Sequence, residues 1–342
     1  MSYIISRRSI LQCSLAAAAT LAATGARAQA PQGWDGIVAA AKKEGKLVIY
    51  NGTNFPVVKK IADQLQKETG IAIEVLDGRA TEIRERIRVE QATGRTLASL
   101  SYSGYTTLYT QMQEGVFQPH GNLPNAGIVQ KEMASNGTIL IGSVGLFILM
   151  HNSNLVKPDE VPKSWVDLTH PRWEGKILSD DPRAAGAGAV WFEATYNKFG
   201  RGFHEKMAAQ KPVFSRNFPD SERRVARGEY AFYLPFNVSE YITLRGLPIK
   251  ALVPSEGAPY VPFAAAMLKD APHPNAARVF LNALLAEQAQ TALAAEGFRP
   301  AVAAFESKAP PEVAPLVQGK LLGTTTPGRL DEMVKLATEI YK

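Results

Sequence analysis

The sequence predicts a two-lobed α/β protein, each lobe built on a mixed, largely parallel sheet. Three observations carry that expectation. Short apolar runs alternate with stretches of helical periodicity, as in a sheet covered by helices on both faces. One long apolar segment at 139–152, ILIGSVGLFILMHN, interrupts the alternation and is long enough to run from one sheet into another. The length, 342 residues, exceeds what a single hydrophobic core ordinarily organises.

Taken in order, the chain opens with Arg7-Arg8, an apolar, Ala-rich run over 15–23, and Ala26-Arg27-Ala28. This reads as a twin-arginine signal peptide over 1–28, cleaved near Ala28, which sends the protein to the periplasm. The apolar run is too short for a permanent membrane span. Cys13, the only cysteine, precedes that run and follows Gln12, which argues against a lipid anchor. Without it the mature chain has no disulfide and no thiolate metal site. The segment carries Arg7, Arg8 and Arg27 and no acid, so half of the formal charge of +6 belongs to it. The remaining Lys and Arg residues are scattered, and no nucleic-acid footprint is expected.

The mature chain begins with a short amphipathic helix over 34–44, and 46–51, KLVIYN, is a buried strand bounded by turn residues. Pro56 suits the first position of a helix that Gly70 ends, with Val57, Ile61, Ala62 and Leu65 at helical spacing. A strand over 71–76, a charged helix over 81–93, a strand over 97–101 and a helix over 105–114 complete the first lobe's alternation. The segment 139–152 is a hinge crossing, bending near Gly142 or Gly145. Beyond it come a helix at Trp165 and Leu168 with Ser164 as its cap, a strand at 177–179, and helices at 190–199 and 221–227 around a strand at 212–215. A strand at 230–234 follows. The chain returns through a second crossing at 251–254 and a strand at 263–268. Helices over 275–296 and 329–342 close it. Lobe one is therefore assigned 31–143 and 252–303, and lobe two 144–251 and 304–342.

The residues 161–188, VPKSWVDLTHPRWEGKILSDDPRAAGAG, place a strand end before a Gly/Ala loop and a helix, an arrangement that offers backbone N–H groups to an anionic or polar ligand. The wording of this stretch resembles the P-x-S-W-x-D-L, W-x-G-K-I and D-P-R passages of the extracellular solute-binding proteins that serve bacterial ABC importers. Ala271-Pro272-His273-Pro274-Asn275-Ala276-Ala277, leading through Phe280 and Leu281, resembles a second family passage. The resemblance covers essentially the whole mature chain. It implies the type II periplasmic binding fold, with two crossing strands, a monomer that closes on a small solute, and an inner-membrane permease and ATPase as partners.

Chemistry of other kinds finds little support. The histidines, His120, His151, His170, His204 and His273, lack the H-E-x-x-H spacing of a zinc site, and no nucleophile elbow, P-loop or dinucleotide fingerprint occurs. Neither catalysis nor a cofactor is expected. Binding residues should come from loops at the carboxyl ends of strands. The candidates are Thr53 and Asn54, Arg79, Ser101, Tyr102 and Ser103, Arg183, Tyr233 and Asn237. Arg79 and Arg183 would grip an anion from opposite lobes, and Tyr102 and Tyr233 would flank an organic ligand.

Tyr50-Asn51-Gly52 and Arg227-Gly228-Glu229 also resemble the ferric-ion-binding branch of the family. That branch implies a His after Y-N-G-x, a Glu after the third strand, and adjacent tyrosines downstream of G-E. Here Asn54, Gly104 and Val238-Ser239 occupy those places, and they cannot supply the charged oxygens a hard trivalent cation needs. A small organic anion is the expected ligand, with ferric iron as the alternative.

Overall fold

The structure, a computed structural model, describes residues 33–53 and 55–342. The twin-arginine segment, its cleavage site, Cys13 and the candidate Asn54 lie outside the described residues. Among those described, no helix is long and apolar enough to cross a membrane.

The first lobe alternates as its sequence pattern requires: α1 (Gly33–Glu44), β1 (Lys46–Asn51), α2 (Pro56–Thr69), β2 (Ala72–Asp77), α3 (Ala80–Ala92), β3 (Leu100–Gly104), α4 (Tyr105–Gln113) and the short β4 (Phe117–Gln118). Helix α2 starts with Pro56 and ends at Gly70, whose φ of 75° is the left-handed conformation that suits glycine. Its Val57, Val58, Ile61, Ala62 and Leu65 are buried, so the periodic face read from the sequence is the face against the sheet.

Next comes β5 (Ile139–Asn152), buried along almost its whole length. Lobe two supplies β6 (Ile177–Asp180), α5 (Ala187–Phe199), α6 (Arg201–Ala209), β7 (Val213–Ser215), α7 (Phe218–Ala226), β8 (Phe232–Asn237) and β9 (Ile249–Leu252). The chain then forms β10 (Ala258–Leu268), α8 (Pro274–Leu284), α9 (Glu287–Ala295), β11 (Arg299–Pro300), α10 (Ala314–Val317), β12 (Leu321–Gly323) and α11 (Leu330–Ile340). The strand order is β2-β1-β3-β10-β5-β8-β6-β7. Residues 139–146 of β5 pair with β10, and residues 147–152 pair with β8 on one side and β9 on the other. One strand thus belongs to both sheets, and the link from β9 to β10 is the second crossing. Lobe two has a separate aromatic core in which Trp165, Trp191, Phe192 and Phe232 are buried with Tyr341 from the C-terminal end.

Several elements differ from the expected ones for identifiable reasons. The helix expected at 164–168 is two 3-10 turns, Val166–Thr169 and Pro171–Trp173, because Pro171 ends the first and starts the second. The helix expected over 275–296 is broken between α8 and α9. Gln290 holds the break: its buried side chain donates to the carbonyls of Leu284 and Gly142, at 2.7 and 2.9 Å. Asn275 lies in the first turn of α8, and its main chain and amide both donate to Glu44 of α1. In β5 the pairing skips Gly142, since Phe263 faces Ser143 and Ala264 faces Ile141. Gly142 is therefore a bulge, which bends a strand. Gly145 answers a different demand, because a Cβ there would come within 2.8 Å of the Phe263 ring.

Candidate functional site

Strand direction places the candidate site. β1, β2 and β3 are mutually parallel and run antiparallel to β10, which is itself antiparallel to β5. They therefore run in the sense of β5, from lobe one toward lobe two. β6 and β7 run parallel with β8, and β8 is antiparallel to β5. The carboxyl ends of the two parallel sets thus point toward each other along the strand they share, the position at which open α/β sheets bind ligands. Elements of the two sides meet near this junction: Thr106 of α4 and Thr325 share a hydrogen bond of 3.2 Å. A Cβ on Gly297 would lie 2.9 Å from Ser239, just past β8.

On the lobe-one side, Asn51 at the end of β1 donates to Asp77 at the end of β2, at 2.6 Å. Its Oδ1 accepts from the Thr53 main-chain N–H at 3.1 Å and hydroxyl at 2.6 Å. Thr53 is thereby fixed at the turn into α2. Ser103 is buried beneath that turn, its Oγ within 3.0 Å of where a Cβ on Gly52 would sit. Ser101 and Tyr102 are buried in β3, a central strand whose two faces are both covered. Tyr102 consequently packs into the core rather than flanking an open cleft, and burial pushes its hydroxyl up to about 12. The Ser101 hydroxyl has no hydrogen-bond partner among the described residues. Arg79 stands at the start of α3, with its side chain 82% exposed and Glu82 4.0 Å away. The half-buried rings of Tyr105 and Tyr109, 5.9 Å apart, begin α4 beyond β3.

On the lobe-two side, Asp180 ends β6 and is 3% exposed. Its Oδ2 accepts from the N–H of Gly188 in the first turn of α5, at 2.6 Å. The protein's own carboxylate thus takes part of the helix N-terminus that the Gly/Ala loop was expected to offer a ligand. Burial raises the Asp180 carboxyl to about 6, against the pull of the Gly188 N–H and of Arg216. Arg183 is bound within the loop: it pairs twice with Asp181, at 2.8 and 3.0 Å. It also donates to the Tyr341 carbonyl at 3.2 Å and lies over the Phe214 ring at 4.6 Å. With these partners Arg183 closes the loop onto β7 and the C-terminal end, where the sequence had suggested a guanidinium facing Arg79. The exposed arginine at this edge is Arg216, directly after β7, which donates to the Ala185 carbonyl at 3.3 Å.

Tyr233 of β8 is 1% exposed, with its hydroxyl buried near Ser221. Burial raises its pKa, and the carboxyls of Asp180 and Glu222 raise it further. Glu222 of α7 is pushed up to about 8 by burial and then by Glu240. Asn237 ends β8 and accepts from the Ser239 N–H at 3.2 Å, capping the 3-10 helix Val238–Leu244. The carboxyl ends of the strands thus carry Thr53, Ser103, Asn237 and Asp180, with Arg79 after β2 and Arg216 after β7 at the two ends of the strand order, while Tyr102, Tyr233 and Ser101 are buried in the core. Sequence reasoning missed Asp180 and Arg216, although each closes a strand that it had recognised. Glu222 gave no signal, because its burial depends on β5, β6 and β8 packing against α7.

Among the described residues, no three His, Cys, Asp or Glu side chains gather as a metal site. The buried His204 is held by Thr195 and Tyr341 at 3.1 and 2.8 Å, and burial lowers its pKa to about 3. That is the behaviour of a structural imidazole.

A family model of the bacterial extracellular solute-binding proteins matches residues 104–320, most of the chain. The chain belongs to the bacterial extracellular solute-binding proteins. An uncharacterized protein of Haemophilus influenzae is 25% identical over 267 residues, which are 73% of this chain and 75% of that one. Iron-bound HitA from Pseudomonas aeruginosa shares the fold at a TM-score of 0.70 and 22% identity, over 86% of this chain and 99% of its own. A Trichodesmium protein (IdiA, FutA) solved with iron and citrate ligands does so at 0.73 and 18%, over 87% of this chain and 100% of its own. This solute-binding protein is accordingly the substrate-capturing component of an ABC importer, in a family of transport proteins and not of enzymes.

Proposed function

We propose that this solute-binding protein captures a small organic anion between its lobes in the periplasm, without altering it, and delivers it to a membrane permease. The observation that carries the reading is the convergence of both sets of strand ends on the crossing, each set bearing an exposed arginine, Arg79 after β2 and Arg216 after β7. Neither guanidinium has a bidentate carboxylate partner among the described residues, unlike Arg183, so each is free to form charge-assisted bonds with a carboxylate or phosphonate. Thr53, Ser103 and Asn237 supply neutral polar contacts around them. The iron bound by HitA and by the Trichodesmium protein makes ferric citrate the necessary comparison.

The test is calorimetric titration of the wild type, Arg79→Ala and Arg216→Ala with carboxylates, phosphonates and ferric citrate. A charged hydrogen bond contributes about 1.5–3 kcal/mol, so each variant should bind the preferred anion roughly ten to a hundredfold more weakly. Tight ferric binding with a tyrosinate-to-iron absorption band, unaffected by loss of either arginine, would replace the anion with the metal.

A further inference from the structure

Away from the strand ends, a cavity of 570 Å³ opens in lobe two between β9 and the 153–163 segment. That volume lies in the range of small-molecule sites. Its apolar wall includes Val156, Val161, Leu252 and Val253, and Lys163 and Lys250 stand on it as exposed cations. Neither ammonium has a carboxylate partner among the described residues. Three of the acids nearby are turned to other donors, while Asp159 of the same segment is exposed. Glu160 faces Arg172, Glu256 accepts from the Ser164 hydroxyl and the Trp165 N–H, and Asp167 accepts from the N–H groups of Lys163 and Ser164.

The same cavity is lined by His151, which is 4% exposed and whose Nδ1 has no hydrogen-bond partner among the described residues. A buried polar atom left unpaired is costly, and such atoms are few in native proteins. Burial lowers the pKa of the imidazole, a hydrogen bond with the Asn152 backbone opposes this and the Lys250 ammonium adds to it, so the ring is a polar neighbour that resists gaining a charge. An apolar wall, two ammonium groups without a carboxylate partner and an imidazole with one unpaired nitrogen are the features an apolar acid complements: a hydrocarbon body against the valines and a carboxylate at the lysines.

We infer that this cavity is a second small-molecule site, distinct from the interlobe cleft, that takes an apolar carboxylate with its anionic head held by Lys163 and Lys250. Its wall includes Ala251 and Leu252 at the end of β9, and Val253 and Ser255 in the link from β9 to β10. An occupant would therefore lie directly against the second crossing.

The experiment is calorimetric titration of the purified protein with decanoate and 1-naphthoate, using 1-naphthamide as the neutral control. The wild type should bind each acid saturably at one equivalent, and the amide at least tenfold more weakly. Lys163→Gln/Lys250→Gln changes only exposed side chains, so its circular dichroism should match the wild type while its affinity for both acids falls at least tenfold. Arg216→Gln should bind both acids as the wild type does. Non-saturable uptake, equal affinity in the lysine double variant, or loss of binding in Arg216→Gln would each overturn the second site, the last by moving the acid into the cleft.

Discussion

Glu222 carries a carboxyl that is 4% exposed and raised to about 8, by burial first and by Glu240 second. Between its ordinary value of 4.5 and about 8, the unfolded chain gives up this proton and the folded chain keeps it. The unfolded state therefore binds fewer protons, and stability falls as pH rises through that window, by about 1.4 kcal/mol per pH unit for one proton. Glutamine preserves the shape of the neutral acid and cannot ionise. Glu222→Gln should match the wild type below pH 4.5 and exceed it progressively toward pH 8, read from urea unfolding across that range. Parallel profiles for the two proteins would show that Glu222 is ionised in the native state. Asp180, raised to about 6, acts in the same direction in both proteins and does not obscure the difference.

At the scale of elements, the junction of β6 with α5 leaves no room for change. A Cβ on Gly188 would meet the Asp180 carbonyl and the Asp181 carbonyl carbon at 2.7 Å, and both are backbone atoms that cannot swing aside. Gly202, in the first turn of α6, has nothing within 4 Å of its Cβ position. Gly188→Ala should cost about 1–3 kcal/mol or more through overpacking, whereas Gly202→Ala should add roughly 0.4–1 kcal/mol by restricting the unfolded chain. Thermal unfolding of the two variants checks both signs, and equal midpoints would contradict the packing argument.

The same contrast explains what the sequence disclosed. The runs at 46–51 and 139–152 coincide with β1 and β5, because a strand buried on both faces must be apolar along its whole length. The break between α8 and α9 escaped notice because its stabilising group, Gln290, acts through a carbonyl of β5 distant in sequence. At the site, the positions of strand ends were legible. The partners of Arg183 were not, since Phe214 and Tyr341 reach it only through the tertiary fold.

For the whole molecule, β5 is the decisive strand. It hydrogen-bonds to β10 in one half and to β8 and β9 in the other, so each lobe is anchored to the same backbone. The bulge at Gly142 and the register shift opposite residues 148–150 interrupt the ladder on either side of the change of sheet, where a small rotation disturbs the fewest bonds. A ligand touching both Arg79 and Arg216 favours the closed arrangement by its differential affinity for that state. Small-angle scattering of the wild type at saturating anion should therefore show a smaller radius of gyration than the free protein. Arg216→Gln should need roughly ten to a hundredfold more anion to reach the same compaction, the loss expected for one charged hydrogen bond. If the wild type binds the anion by calorimetry but its radius stays constant, the site lies within one lobe; if both proteins compact at the same concentration, Arg216 is not part of the grip.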